Sequence, residues 1–305
     1  MRQKAIISIT LLLLCLFTHQ SCSKYEVQYE GPLEQSGETT DPDFDLAIIA
    51  GGIAYLLVHD ALEFRRAIPS TSTVELIALS NNKKLLAYKE RGRDIAIYDI
   101  EKSEVTELIS GTSQATSLDW HSDNQTIMYG TDRTLHFYGP NAFFQEKDIF
   151  NLGTTIALGP PRIVSPLAMT SDNQIVWTYY YNVSFSNDIH RLIVYDPSED
   201  EYQEYDLDNL VVWPAEEIKA GRNSDILWLK YLDRFDSEFL VRVTFDNDGS
   251  VRRSSIDDTS FSNATTIVGC PGPGQTSGVI GKDDLLRTGT ITIPLELGEI
   301  QAVDW

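Results

Sequence analysis

From Asp45 to Asp258 apolar residues, many of them β-branched or aromatic, alternate with polar ones in short runs, and clusters of turn residues separate the runs. No stretch sustains a helical period. Val74–Ser110 is the clearest unit. Val74–Leu79 predicts a first strand and Ser80-Asn81-Asn82-Lys83 a turn. A second strand begins at Leu85-Leu86-Ala87-Tyr88, Asp94–Asp99 predicts a third and Val105–Ile109 a fourth, with Glu101–Glu104 turning between the last two. Related units begin at Ala115 and Val164, a spacing of about 40 residues that belongs to four-stranded repeats arranged around an axis.

The last six residues, Ile300-Gln301-Ala302-Val303-Asp304-Trp305, replay Ala115-Thr116-Ser117-Leu118-Asp119-Trp120. The middle copy opens a repeat, whereas at the C-terminus the strands able to complete one lie at Asp45–Ile68. This predicts an all-β chain forming a single β-propeller over residues 45–305. Six blades are expected, with five as the alternative, and Ile300–Trp305 pairs with Asp45–Ala50 in one sheet. Blade 1 continues through Ile53–Val58 and Leu62–Ile68, with a tight hairpin at Gly51-Gly52, where both residues can take positive φ. Blade 4 is expected at Val164–Thr170, Gln174–Tyr180, Arg191–Asp196 and Glu201–Asp206. Blade 5 holds Ile226–Tyr231, Phe239–Phe245 and Val251–Ser255, and the poorly patterned Thr265–Glu299 forms the sixth.

The unit at Val74–Ser110 resembles the WD40-like repeats of the TolB-type propeller family. The matching residues are Ser80, Lys84, Leu86-Ala87-Tyr88, Ile97-Tyr98-Asp99 and Leu108. His121-Ser122-Asp123-Asn124 with Ile127-Met128-Tyr129, and Ser171-Asp172-Asn173 with Ile175-Val176-Trp177, repeat the pattern more loosely. The Pro and Gly of the family's turn are missing throughout. The resemblance implies a propeller and is nearly silent about activity, because the fold carries many functions.

Loop lengths distinguish the two faces of the disc. First-to-second turns (Ser80–Lys83, His121–Asn124, Ser171–Asn173) and third-to-fourth turns (Glu101–Glu104, Pro197–Asp200, Asn247–Gly249) are short. Long connections fall on the other face, at Asn141–Ile163, Asn182–His190, Asp208–Trp213 and Asp257–Thr276. Elaborated loops on a rigid scaffold carry recognition, so this face is expected to bind the partner. Its candidates are Tyr179, Tyr181, Phe185, Trp213, Arg234 and Phe235, aromatic rings beside acids that suit a protein, peptide or glycan. Asp119-Trp120 and Asp304-Trp305 read as structural, with Trp filling the wedge between sheets and Asp accepting from backbone donors.

The N-terminus adds an address. Arg2 and Lys4 precede the apolar run Ala5–Phe17, which has signal-peptide proportions and is too short to cross a bilayer. Residues 1–21 are read as the leader. Ser21-Cys22 resembles the lipoprotein signals of Bacteroidetes-type bacteria, which implies that Cys22 is acylated, although His19-Gln20 departs from the usual lipobox. An ordinary cut after Ser23 is the alternative. Residues 22–44 carry Gly, Pro and many acids against the single base Lys24, and read as a flexible acidic tether. The expected location is the bacterial outer membrane or cell surface, held through Cys22.

Charge and chemistry narrow the rest. The net charge is −21, and loss of Arg2 and Lys4 with the leader makes it −23. A nucleic-acid partner is therefore not expected. Cys270 stands alone beyond the leader and anchor, so the fold relies on its core rather than on an internal disulfide. His59, His121, His136 and His190 show no metal-ligand spacing, and there is no Gly-x-Ser-x-Gly or phosphate-cradling loop. No metal, cofactor or catalytic residue is assigned. A non-catalytic binding propeller is the leading reading. A propeller glycoside hydrolase or lyase using carboxylates at the central opening, or a structural subunit of an envelope complex, is the alternative.

Overall fold

The structure, a computed structural model, describes residues 43–58, 61–131, 133–149, 163–182, 188–207, 215–220, 226–232, 238–245, 251–255, 267–270, 279–288 and 291–305. Among these residues every strand pairing is antiparallel and the strands form six sheets. The fold is an all-β propeller.

Sheet 1 contains β1 (Leu46–Ala50), β2 (Ile53–Val58) and β3 (Ala61–Ala67). Sheet 2 is β4 (Val74–Leu79), β5 (Leu85–Glu90), β6 (Ile95–Asp99) and β7 (Glu104–Ile109). Sheet 3 is β8 (Ser117–Trp120), β9 (Ile127–Gly130), β10 (Thr134–Tyr138) and β11 (Glu146–Asp148). In sheet 4, β12 (Ile163–Val164) and β13 (Ala168–Met169) both pair with β14 (Ile175–Asn182), followed by β15 (Asp188–Asp196) and β16 (Glu201–Asp206). Sheet 5 is β17 (Ala215–Ala220), β18 (Ile226–Leu232), β19 (Glu238–Phe245) and β20 (Val251–Ser255). Sheet 6 is β21 (Ile267–Cys270), β22 (Val279–Lys282), β23 (Leu285–Thr288) and β24 (Ile291–Pro294). The last strand, β25 (Ile300–Asp304), joins sheet 1 by pairing with β1, Ile48 lying opposite Val303 and Ala47 opposite Asp304. Gly51 and Gly52 take φ of 55° and 81° in the β1–β2 hairpin, a conformation that side-chain-bearing residues resist.

Apolar clusters fill the seams between consecutive sheets. Ile49, Leu56, Ile77, Leu86 and Tyr88 join sheets 1 and 2. Ile95, Leu118 and Trp120 join sheets 2 and 3, and Phe137, Trp177 and Tyr195 join sheets 3 and 4. Val194, Leu229 and Val241 join sheets 4 and 5. Trp228, Leu240 and Ile280 lie between sheets 5 and 6, and Leu286, Leu295, Leu46 and Ile300 between sheets 6 and 1.

Polar clasps repeat beside these seams. Asp304 Oδ2 accepts from the amide of Leu79 at 2.5 Å, and Asp119 Oδ2 from the amide of Met169 at 3.0 Å. Trp120 is 2% exposed, and its indole donates to the carbonyl of Ala78 at 2.9 Å. These are the packing and backbone-binding roles expected for the repeated Asp-Trp pairs. Trp305 differs in being only half-buried.

The first-to-second turns explain the missing glycine of the repeat. Lys83, Asn124 and Asn173 occupy its left-handed position with φ of 61°, 58° and 65°. Asn tolerates that conformation, and here its side chain also binds the preceding sheet. Asn124 Oδ1 accepts from the amide of Asn82, and Asn173 Oδ1 from that of Ser122, each at 2.8 Å. Lys83 makes the equivalent reach, its Nζ donating to the carbonyl of Asp45 at 3.2 Å.

Several expected boundaries shift. Part of the connection Asn141–Ile163 is β11, a strand of three polar residues fixed by pairing with β10. The loop Asn182–His190 is shorter than expected, because β14 and β15 remain paired out to Asn182 and Asp188. The expected strand Val164–Thr170 is divided at Ser165–Leu167, where Pro166 has no N–H to donate. Across that break the Ser165 hydroxyl accepts from the amide of Thr178 at 2.8 Å. Sheet 5 gains an inner strand, β17, and β21 lies inside the expected connection Asp257–Thr276.

Candidate functional site

The two faces of the disc can be told apart by their backbone bonds. Lys83 brings Asp45 beside the Ser80–Lys83 turn, and Asp304 reaches the amide of Leu79 just before it. The start of the described chain and its C-terminal end thus share the short-turn face. β1 then runs to the Gly51-Gly52 turn on the opposite face, where the Gly52 carbonyl accepts from the amide of Val74 at the start of β4.

On this opposite face a groove of about 590 Å³ opens where sheets 1 and 2 diverge. The connector from β3 to β4 supplies Pro69 and Thr71, and the β5–β6 turn supplies Gly92, Arg93 and Asp94. Tyr88, Ala96, Val105 and Leu108 form its apolar wall. Tyr88 is buried, its hydroxyl donating to the carbonyl of Pro69 at 3.3 Å, whereas Leu108 is 66% and Val105 44% exposed. Two aliphatic side chains thus stand exposed beside a concavity.

Their joint position depends on a bulge. In β7, Val105 lies opposite Tyr98 and Glu107 opposite Ile97, so Thr106 is the extra residue. Residues three apart on a regular strand face opposite sides. The inserted Thr106 breaks that alternation and brings Val105 and Leu108 to the same groove. Glu107 reaches the other way, toward sheet 3, where it accepts from the Tyr138 hydroxyl.

Glu90 organises the mouth of the groove. It accepts from the Thr71 amide and hydroxyl at 3.1 and 2.8 Å and from the Ser72 hydroxyl at 3.0 Å, with Arg93 at 3.4 Å. Burial alone would raise its pKa. The donors of Thr71 and Ser72 and the charge of Arg93 outweigh burial and hold the carboxyl below the usual carboxylate range. Burial, followed by the negative charge of Glu90, pushes the Tyr88 phenol up. Both groups are thus fixed in their ordinary charge states near neutrality, which suits a preformed binding surface.

Beside the groove end of β4, Lys89 is 4% exposed and donates to Glu75 at 2.9 Å, while Arg91 donates to the other Glu75 oxygen at 2.8 Å. Glu75 is the extra residue of a bulge in β4. These bonds, Arg91's first and Lys89's next, lower the Glu75 pKa. The cluster closes on itself as an ion pair network. Among the described residues no group of three His, Cys, Asp or Glu side chains could hold a metal ion.

Of the ligand-face residues singled out in the sequence, the structure describes Tyr179 and Tyr181. Tyr179 is an interior residue, 3% exposed, packed with Trp177 and Tyr195, with its hydroxyl donating to Glu204 at 2.8 Å. Its candidacy as a ligand contact is thereby corrected. Tyr181 lies on β14 opposite Ile189. Phe185, Trp213, Arg234 and Phe235, and Cys22, the expected site of acylation, lie outside the described residues. The groove, in turn, was missed in the sequence. The signal that could have found it was Leu108 and Val105 in a strand whose other exposed residues are Glu and Thr.

A scan against protein-family models and a search of curated proteins each found no match. Among solved structures the chain is similar to TolB from Acinetobacter baumannii, with TM-score 0.53 and 14% identity, covering 88% of this chain and 68% of that one. This likeness defines the class of fold, a β-propeller, and nothing finer. A chain of a mitotic checkpoint complex has TM-score 0.48 at 11% identity, over 79% of this chain and 83% of that one. A chain of Kuenenia stuttgartiensis hydrazine synthase has TM-score 0.47 at 9% identity, over 84% and 79%. Both scores are too low to bear on the argument.

Proposed function

We propose that the protein is a non-catalytic, exported and lipid-anchored propeller that binds a protein, peptide or glycan on the face opposite its chain ends. Residues 1–21 are its leader, Cys22 its acylated anchor and residues 22–44 its tether. The sheets are its blades, and β25 closes the ring within sheet 1. Tyr181, Phe185, Trp213, Arg234 and Phe235 serve the same binding face.

The observation that carries this reading is the separation of the two faces. Asp45 and Asp304 lie by the Ser80–Lys83 turn, while the groove with exposed Leu108 and Val105 opens on the other side. A lipid on Cys22 would therefore hold the short-turn face toward the membrane and turn the groove away from it. The twenty residues Ser23–Pro42 can span at most about 70 Å when fully extended, enough to clear a crowded surface. A similar fold in TolB is compatible with an envelope protein.

Chemical crosslinking on intact cells, followed by recovery of the full-length protein from membranes, tests the reading. A discrete partner should be captured, and Cys22→Ala should release the protein into the soluble fraction. A protein that stays in the membrane without Cys22 refutes the anchor. One that emerges alone and cleaves a glycan panel refutes the binding role.

A further inference from the structure

Resting on the reading of a binding propeller, we infer that β7 accepts an extended peptide by strand addition, and that this segment alternates aliphatic with basic residues. β7 ends the order of sheet 2, so its outer edge pairs with no described strand. Every residue from Glu104 to Leu108 is exposed. An incoming strand would satisfy that edge and send alternate side chains over Val105 and Leu108 into the groove. Those positions want aliphatic residues, since Pro69, Tyr88 and Ala96 complete the wall.

The intervening positions meet acids. Glu104 and Glu107 project from β7 itself, on the face turned away from the groove, where Glu107 meets Tyr138. Lys and Arg fit there, whereas two occupants close at hand do not. The chain's own tether carries acids against the single base Lys24. A second copy brings another chain of charge −21. Acids on an edge strand are a device against self-pairing, and β7 exposes Glu104 and Glu107. The same acids admit a strand of opposite charge.

The test uses the full domain and a fluorescein-labelled ten-residue peptide alternating lysine with valine. Fluorescence polarisation should give saturable binding at least about tenfold tighter than for a lysine–serine peptide, with none for glutamate–valine. Hydrogen exchange should slow at the amides of Glu104–Ile109 when the peptide is bound. Leu108→Asp should weaken binding by about tenfold or more. Because Leu108 is exposed, that variant should keep the wild-type circular dichroism. Equal binding of the lysine–serine peptide, protection confined to other strands, or full affinity in folded Leu108→Asp overturns the inference. A partner captured from membranes and still held by Leu108→Asp overturns the groove alone, whereas failure to capture any partner counts against the wider function.

Discussion

The seam between sheets 1 and 2 buries fourteen apolar residues, from Phe44 to Ile100, and at the seam between sheets 5 and 6 Trp228, Leu240 and Ile280 are buried. In the first, β4–β7 are five or six residues long and supply branched side chains such as Val74, Ile77, Leu79 and Leu86. In the second, β21–β24 are four residues each and include Gly269 and Gly281. The indole of Trp228 there is a buried donor with no partner in the structure, a cost of about 1–3 kcal/mol where no water reaches it. Each sheet relies on its neighbours to cover its faces, so a ring need not be equally strong all round. On the far side of sheet 6, Leu286 and Leu295 pack onto the terminal strand.

The comparison can be broken most severely by deleting residues 300–305. That removes the partner of β1, the clasp from Asp304 to Leu79 and the buried Ile300 and Val303. Loss of cooperative thermal unfolding is expected by calorimetry, whereas a comparable deletion within sheet 6 should leave a residual transition. Next in size is Trp120→Ala. Truncating a buried Trp costs about 3–5 kcal/mol, and here the bond to Ala78 is lost as well; urea denaturation gives the value. Trp228→Ala should cost less than Trp120→Ala, because its indole makes no bond.

Asp123 offers a smaller and pH-dependent test. Burial alone would raise its pKa, but it accepts from the amides of Gln125 and Thr126, the Thr126 hydroxyl and the Asn141 amide, and the net effect is strong depression. A carboxylate depressed on folding stabilises above its unfolded pKa of about 4 and loses that contribution as pH falls below it. Asp123→Asn should destabilise by about 1–3 kcal/mol at pH 7. The gap from the parent should narrow at pH 3. An unchanged gap in urea titrations at the two pH values would dismiss this account of the turn.

Sheet 2 was legible because its information is local. Alternation marks β4 to β6, and Ser80–Lys83 and Glu101–Glu104 mark the turns. The inner strand β17, Ala-Glu-Glu-Ile-Lys-Ala, was not legible, since Ile218 is its one large apolar residue and neighbouring strands supply the rest of the pattern. The same holds for β11, whose Glu146-Lys147-Asp148 becomes a strand through its register with β10. Asn124 and Asn173 stood where a glycine was expected, and their second role, reaching the preceding sheet, depends on a neighbour far away in sequence. The groove was hidden for a similar reason. Val105 and Leu108 meet because Thr106 is an extra residue, and a bulge is set by pairing rather than by composition. Tyr179 looked like a ligand contact in a run of three tyrosines, and alternation alone could not say which side of β14 faced the core.

Native-state hydrogen exchange on the intact domain tests the central claim, that the C-terminal strand is an inner part of sheet 1. Chain ends ordinarily fray and exchange fast. The account predicts that the hydrogen-bonded amides of β25 are protected like those of β1 and open together with them. Sheet 6 should open at lower free energy than sheets 1 and 2. Exchange of β25 at the rate of an unstructured tail, with β1 still protected, would contradict it.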